Sequence, residues 1–272
     1  MSIRPHHSFA KGCWHAALFG AAIFGLSLTP PAHASLIGQW TFNEGSGSVA
    51  TDTAGSNNGT LSNGASYIPN GAGNYAVHFG DGSGSGTGND SVVIPDSPTF
   101  DMGKNFSIEA WVKLDTNNGG VDWFFGTEHS SYARYGLLVA GGQYRFDVGS
   151  YLEHAPDYFA TASTPASVGS WDHLVGTFDG ATIKLYKNGS LAGSTPWVAN
   201  DGVYPTSQVP AAGPFYYNQG SIDQVQLWNE TLSDSQVLTL YQPGPIAVPE
   251  PATTAAVVSL AMVALGSRKR RQ

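Results

Sequence analysis

The chain has 272 residues, a formal net charge of −8, only 12% charged residues, 34 glycines and 41% hydrophobic residues. That hydrophobic share can bury a sizeable core, which excludes global disorder, and the length permits one large β domain or two small ones. Between residues 35 and 243 six basic residues stand against nineteen acidic ones, a surface that repels phosphate backbones and excludes nucleic acid as a partner.

Residues 1–34 read as a secretory signal peptide. Arg4 and Lys11 form a basic region, Ala16 to Leu28 an apolar region, and Ala32-His33-Ala34 a small-residue cleavage site before Ser35. The apolar run is shorter than the roughly 20 residues a membrane span needs. Cys13 is the single cysteine and leaves with the signal, so the exported chain has no disulfide. Its stability rests on the core, with or without help from a metal.

Ile37 to Phe42 is expected to be the first strand, with Trp40 and Phe42 on one face. Tyr75 to Phe79 and Ser91 to Ile94 are further strands, and the low-complexity stretch Gly80 to Asp90 between them reads as a flexible surface loop. Phe106 to Leu114 is the clearest buried strand. Phe106, Ile108, Ala110, Val112 and Leu114 share its core face, and Ser107, Glu109, Trp111 and Lys113 the other. In a sandwich that other face can carry a binding surface.

Residues 121–160 are dense in aromatics: Trp123, Phe124, Phe125, Tyr132, Tyr135, Tyr144, Phe146, Tyr151, Tyr158 and Phe159. Aromatic rings stack on the apolar faces of sugars, and they also fill cores and pair across strands. The tyrosines read as loop-borne, Tyr132, Tyr135, Tyr151 and Tyr158, are the candidate ligand surface. His129 and His154 lack the spacing of zinc ligands and read as polar loop residues.

Trp171 to Leu191 reads as three antiparallel strands. Leu174 and Phe178 share one face, Val175 and Thr177 the other. Asp179-Gly180 and Asn188-Gly189 are dipeptides that supply positive φ for tight two-residue turns, so the stretch is a β-meander. Pro196 to Pro214 reads as a long loop, and Phe215 to Asn218 and Ser221 to Trp228 as the last strands. Leu232 to Tyr241 is expected to form one short helix with Ser233 as N-cap.

The pattern W-x-H-L-V-x-T-F-D-G followed by L-Y-x-N-G resembles the signature meander of the LamG-like jelly-roll domains, within the concanavalin A-like lectin/glucanase superfamily. Gly38 to Gly47, Phe106 to Lys113 and Gly220 to Asn229 agree with the same family, in its order. The resemblance covers roughly residues 36–242. It implies an all-β, two-sheet antiparallel jelly-roll sandwich at residues 35–243, which the signal peptide precedes and, from the tail described below, a short C-terminal transmembrane sorting helix is expected to follow. It also implies a structural calcium held by a loop of the D-x-x-G-x-N-x-G kind and an acid near the final strand. Carried over, the ligands are Asp52, Asn57 and Asp223. The chemistry suits Ca²⁺, which takes six to eight hard oxygens. The same Asp, Asn and Gly residues also build an ion-free Asx-turn loop.

At the C-terminus Pro249-Glu250-Pro251 precedes an apolar run, Ala252 to Gly266, and the basic end Arg268-Lys269-Arg270-Arg271. This resembles the PEP-CTERM sorting signal at residues 244–272, which an exosortase-type membrane protease recognises in bacteria that make exopolysaccharide. It implies an inner-membrane-anchored precursor, then a protein at the cell surface or in the extracellular matrix. The basic cluster would hold the C-terminus on the cytoplasmic side, and the plain alternative is a simple anchor.

The superfamily's glucanases carry E-x-D-x-x-E on one strand, the paired carboxylates that retaining hydrolysis needs. No glutamate here has that neighbourhood, no G-x-S-x-G elbow is present, and no cysteine survives export. The expected catalytic set is therefore empty. Three readings follow: a non-catalytic module binding exopolysaccharide, another glycan or matrix; a structural surface or biofilm protein without a discrete ligand; and a divergent glycosidase.

Overall fold

The structure, a computed structural model, describes residues 35–71, 73–80, 90–127, 134–150, 158–197, 210–215 and 219–241. The strands of the N-terminal half are β1 (Leu36–Trp40), β2 (Val49–Ala50), β3 (Gly59–Ser62), β4 (Ser66–Pro69), β5 (Tyr75–Phe79), β6 (Asp90–Val93), β7 (Phe106–Leu114) and β8 (Val121–Thr127). Those that follow are β9 (Arg134–Ala140), β10 (Gln143–Ser150), β11 (Tyr158–Pro165), β12 (Trp171–Phe178), β13 (Thr182–Lys187), β14 (Ser190–Pro196), β15 (Pro210–Phe215) and β16 (Gly220–Trp228). A short helix α1 (Asp234–Leu240) follows β16.

Two antiparallel sheets result. Sheet A runs β14-β13-β12-β7-β16-β5-β4, with β1 also paired to β16, and sheet B runs β11-β10-β9-β8-β15-β6-β3-β2. This is the expected all-β sandwich. Every second residue of a strand faces the other sheet, and the core is made of these. β7 contributes Phe106, Ile108, Ala110, Val112 and Leu114, β12 contributes Leu174 and Phe178, and β9 and β10 answer with Tyr135, Leu137, Val139, Tyr144, Phe146 and Val148. Phe106 is the hub, with ring centroids 5.1 Å from Tyr135, 6.0 Å from Phe146 and 5.6 Å from Phe178. Fully burying each such side chain is worth about 1.5–3 kcal/mol.

The meander is β12, β13 and β14, paired in succession. Its second turn is the expected one, with Asn188 at φ 53° and Gly189 at φ 74°. The first differs. Three residues separate Phe178 from Thr182, only Gly180 has positive φ, and Asp179 Oδ1 accepts from the amides of Ala181 and Thr182. The Asp side chain closes this loop, where a two-residue turn was expected.

The stretch read as a loop up to Pro214 contains β15, which begins at Pro210 and lies between β8 and β6. Prolines in a central strand argue against strand by sequence, because they cannot donate to the ladder. The strand tolerates them by pairing briefly, at two positions to β8, with a register break between Ala212 and Phe215 against β6.

The second face of β7 is also not what its pattern suggested. Glu109 and Trp111 are 2% and 3% exposed. α1 packs over this side of sheet A, with Val237 and Leu232 against Val175 and Tyr186, and the Tyr241 ring beyond it stacks on Trp111. α1 starts on the capping box of Ser233 and Gln236, as the Ser233 reading anticipated.

Candidate functional site

On the outer side of sheet B, strands β8, β9, β10 and β11 align Trp123, Leu138, Arg145 and Ser163 in one cross-strand row. Trp123, Leu138 and Ala140 form a small apolar cluster there, separate from the main core. Gly126 and Gly136 create its floor. A Cβ on Gly136 would sit 2.6 Å from the Trp123 ring, and one on Gly126 2.9 Å from it. The glycines let the indole approach the backbone closely, and Trp123, Leu138 and Ala140 are themselves covered, at 6%, 2% and 7% exposure.

Beside that row lies a polar network. Arg145 donates to Asp147 from Nε (3.2 Å) and from an Nη (2.8 Å), and the same Nη reaches Thr161 Oγ1 at 3.0 Å. Thr161 Oγ1 in turn donates to Asp147 Oδ1 at 2.8 Å. The bidentate fork fixes the guanidinium plane. With side-chain exposures of 32% for Arg145 and 12% for Asp147, the arrangement offers oriented donors and acceptors at a surface, which is what recognition of a polyhydroxylated ligand requires. Its spacing in sequence, Arg145-x-Asp147, is an ordinary i, i+2 strand pair, so sequence reasoning passed over it. Only the partner Thr161 distinguishes it, and that residue belongs to another strand.

Of the four candidate tyrosines, Tyr132 and Tyr151 lie outside the described residues. Tyr158 opens β11 and pairs with Ser150. Tyr135 is a correction. It is fully buried, packs on Phe106, and donates its hydroxyl to the Phe100 carbonyl at 2.9 Å. Its position in β9 points it inward because Leu137 and Val139 do the same. The strand ends Thr127, Arg134, Ser150, Tyr158 and Pro210 lie at one end of sheet B, since Thr127 pairs with Pro210, Gly149 with Arg134 and Ser150 with Tyr158.

The calcium set is placed as follows. Asp52 Oδ1 accepts from the amides of Gln39, Ala54 and Gly55, at 3.0, 3.1 and 2.9 Å, and Oδ2 from the amide of Asn57 at 3.0 Å. Three of the four donors share Oδ1 and one reaches Oδ2. Asn57 engages through its backbone, donating to Asp52 and accepting from Trp40 Nε1 at 3.1 Å. Asp52 and Asn57 thus share one loop hub, Asp52 through its carboxylate and Asn57 through its backbone. Asp223 differs, being 1% exposed, with Oδ2 accepting from Asn70 Nδ2 at 2.9 Å and Oδ1 without a hydrogen-bond partner. Burial pushes its carboxyl up to about 7, against the opposing pull of the Asn70 amide. Among the described residues no group of three His, Cys, Asp or Glu side chains could hold a metal.

Glu109, on the strand that would carry a glucanase triad, bonds His173 Nε2 at 2.9 Å. The residues opposite it on the neighbouring strands are Val175 and Gln226, so its register positions hold no second carboxylate. Asp172 is similarly occupied, by the Tyr144 hydroxyl at 3.0 Å, Asn188 Nδ2 at 2.9 Å and Lys187 at 3.3 Å. Burial foremost, then the Asp172 charge, drives the Tyr144 hydroxyl above its ordinary range. The sorting residues Pro249, Glu250, Pro251, Arg268, Lys269, Arg270 and Arg271 lie outside the described residues, among which no helix is long and apolar enough to cross a membrane.

Comparison with known proteins agrees with this geometry. The fold is similar to the binding domain of Paraclostridial Mosquitocidal Protein 1 at a TM-score of 0.60 and 13% identity, covering 76% of this chain and 52% of that one. It is also similar to Domain 4 of AbnA, a GH43 extracellular arabinanase from Geobacillus stearothermophilus solved with arabinotriose, at a TM-score of 0.55 and 19% identity, covering 77% of this chain and 99% of that one. Trypanosoma rangeli sialidase matches at a TM-score of 0.54 and 20% identity, over 76% of this chain and 32% of that one. The chain thus spans about half the length of the toxin binding domain. No curated protein sequence matches significantly. A laminin G-type family model, described as the concanavalin A-like lectin/glucanases superfamily, matches residues 85–238; with more than half of the chain matched, the protein belongs to that superfamily.

Proposed function

We propose that the protein is a non-catalytic, exported binding module for a neutral polysaccharide or matrix glycan, engaged on the outer side of sheet B. The observation that carries this reading is the Arg145–Asp147–Thr161 network, held at the surface next to the Trp123 row. Tyr158 opens β11 in the same sheet, and the reading gives it the stacking role together with Tyr132 and Tyr151, which lie outside the described residues. The acidic balance of the domain suits neutral sugars over anionic ones. The arabinotriose-bound relative and the toxin binding domain show that this sandwich can serve binding in other proteins, which supports the reading by analogy of fold. The signal-like N-terminus and the P-E-P tail support export, membrane anchoring of the precursor and sorting by an exosortase-type protease.

A glycan array on residues 35–248 tests the ligand. Binding to neutral oligosaccharides, weakened about tenfold by Arg145→Ala through loss of charge-assisted hydrogen bonds, supports the proposal. A blank array favours a second reading, a structural surface protein without a discrete ligand. The burial of Tyr135 in the core is the observation on that side. Replacing Pro249, Glu250 and Pro251 by alanine tests the sorting part, with accumulation of the precursor in the membrane as the expected result.

A further inference from the structure

The dipeptide Asn-Gly occurs five times among the described residues, at Asn58, Asn63, Asn70, Asn118 and Asn188. It is chemically labile. A glycine carries no side chain to hinder its amide, so the nitrogen can attack Cγ of the asparagine before it. Attack needs an amide nitrogen released from hydrogen bonding and a backbone able to bend toward the side chain. The fold grants these unequally.

Three of the dipeptides are shielded. Gly59 is buried in β3, where a Cβ would sit 2.6 Å from Val92, and Asn58 Oδ1 accepts from the Asp52 amide at 2.9 Å. The Gly64 amide, which would have to attack Asn63, donates to Asp90 Oδ1 at 2.7 Å. Asn188 is held at both side-chain atoms: Oδ1 accepts from the His173 amide at 2.8 Å and Nδ2 donates to Asp172 at 2.9 Å. A Cβ on Gly189 would lie 3.1 Å from Tyr241. The other two dipeptides differ on the glycine side. Gly71 and Gly119 are exposed, at φ 83° and 78°, and a Cβ on either would meet nothing within 4 Å. Asn118 is itself exposed, in the connection from β7 to β8. Asn70 is half-buried after β4; its amide donates to the Asn74 carbonyl at 2.8 Å and its Nδ2 to Asp223 at 2.9 Å.

We propose that Asn118-Gly119 and Asn70-Gly71 are spontaneous modification sites of the folded chain, deamidating through a cyclic imide, with the more exposed Asn118 the faster. The glycine nitrogen bonds to Cγ, the Cγ–Nδ2 bond breaks, and the amine leaves as ammonia with the proton that the glycine gives up. Water then opens the ring at one carbonyl or the other, leaving aspartate or isoaspartate. One water enters and one ammonia leaves for each event, so no oxidant or further reactant is needed. Each event adds a carboxylate to a domain that is already acidic, and the isoaspartate product also adds a methylene to the main chain. At Asn70 the product loses the Nδ2 donor that reaches Asp223, so the change extends from the surface to a buried carboxyl.

Peptide mapping by mass spectrometry tests this on the full chain in detergent, aged above neutral pH in heavy-oxygen water, which marks each conversion as it happens. A parallel sample is aged in urea, where the five asparagines are expected to convert at similar rates. In the folded chain Asn118 is expected to lead and Asn70 to follow. Asn58, Asn63 and Asn188 are expected to convert at least about tenfold more slowly than in urea, because they react only from locally opened states. The double variant Asn118→Gln and Asn70→Gln, whose longer side chains no longer close the five-membered ring, is expected to abolish the acidic charge variants of the aged folded chain. Conversion of Asn118 or Asn70 no faster than that of Asn188, Asn70 overtaking Asn118, the shielded three converting at their urea rates, or charge variants persisting in the double variant would each overturn the proposal.

Discussion

The Tyr241 ring lies on the Trp111 indole, centroids 6.0 Å apart and planes 21° apart. His173 completes the group, 5.0 Å from Trp111 and 5.8 Å from Tyr241. A residue just past the last helix therefore covers the middle strand of sheet A, which removes that face from any role as an open binding surface. The same contact makes the helix a structural closure. Tyr241→Ala is expected to cost about 2 kcal/mol and lower the melting temperature by about 4–8 °C, from lost ring contacts and partial exposure of the face beneath. Thermal unfolding of the purified variant measures it, and an unchanged melting temperature would show that the helix end does not bear on stability.

Glu109 and His173 form a pair with side-chain exposures of 2% and 0%. Each also holds a buried atom without a partner, Oε2 and Nδ1. Breaking one side of such a pair leaves the other group buried and uncompensated, so Glu109→Leu alone is expected to cost about 3–5 kcal/mol. Adding His173→Phe, which replaces the polar ring by an apolar one against Trp111, is expected to recover at least half of that loss. Denaturant titration of the two single variants and the double variant closes the cycle. Additive losses would mean that the pair is not coupled.

The sandwich was legible in the sequence because its strands alternate cleanly. Leu174, Phe178, Ile183 and Leu185 face the core as their spacing required, and Val175 and Tyr186 face away. What could not be read is which distant residue meets which. Gly176 looks like a weak point in β12, yet a Cβ there would come within 2.3 Å of the Phe146 ring in the opposite sheet. Gly136 hides the seat of Trp123 in the same way. Tyr135 reads as loop-borne in the sequence, while the strand that turns it inward begins only at Arg134. The Arg145 network depends on Thr161, sixteen residues away.

Asp223 gives the domain a pH dependence. Its carboxyl titrates near 3.8 when unfolded and about 7 when folded, so the folded state holds an extra proton between those values. The stability from that proton is complete below the unfolded value and is lost as pH rises through the folded one, at a slope of up to about 1.4 kcal/mol per pH unit. The denaturant midpoint is expected to fall from pH 5 to pH 7.5, and Asp223→Asn to flatten the profile. A wild-type midpoint that is level over this range would contradict the assignment.

Asp52 holds its loop through four backbone amides. Asp52→Ala is expected to cost about 3 kcal/mol, since each orphaned amide loses a charge-assisted bond in a part-buried site. With the Asp52 carboxylate engaged by these amides, moving wild-type protein from calcium to chelator is expected to shift the melting temperature by less than about 1 °C, which is under 0.5 kcal/mol for a domain of this size. A clear rise with calcium would instead return a metal to this region.

The first and last strands of the sandwich are neighbours, antiparallel, with Leu36 opposite Trp228 and the Asn229 amide donating to the Ser35 carbonyl at 3.1 Å. A pull applied at Ser35 and Asn229 would load the β1–β16 ladder at one end and open it one hydrogen bond at a time, as a zipper, where strands with ends on opposite sides must be sheared all at once. Under tension between its two ends the sandwich would therefore yield early and gradually. Tension between the outer side of sheet B and the C-terminal end takes another path, and the first elements to give would be Tyr241 and α1, ahead of either sheet.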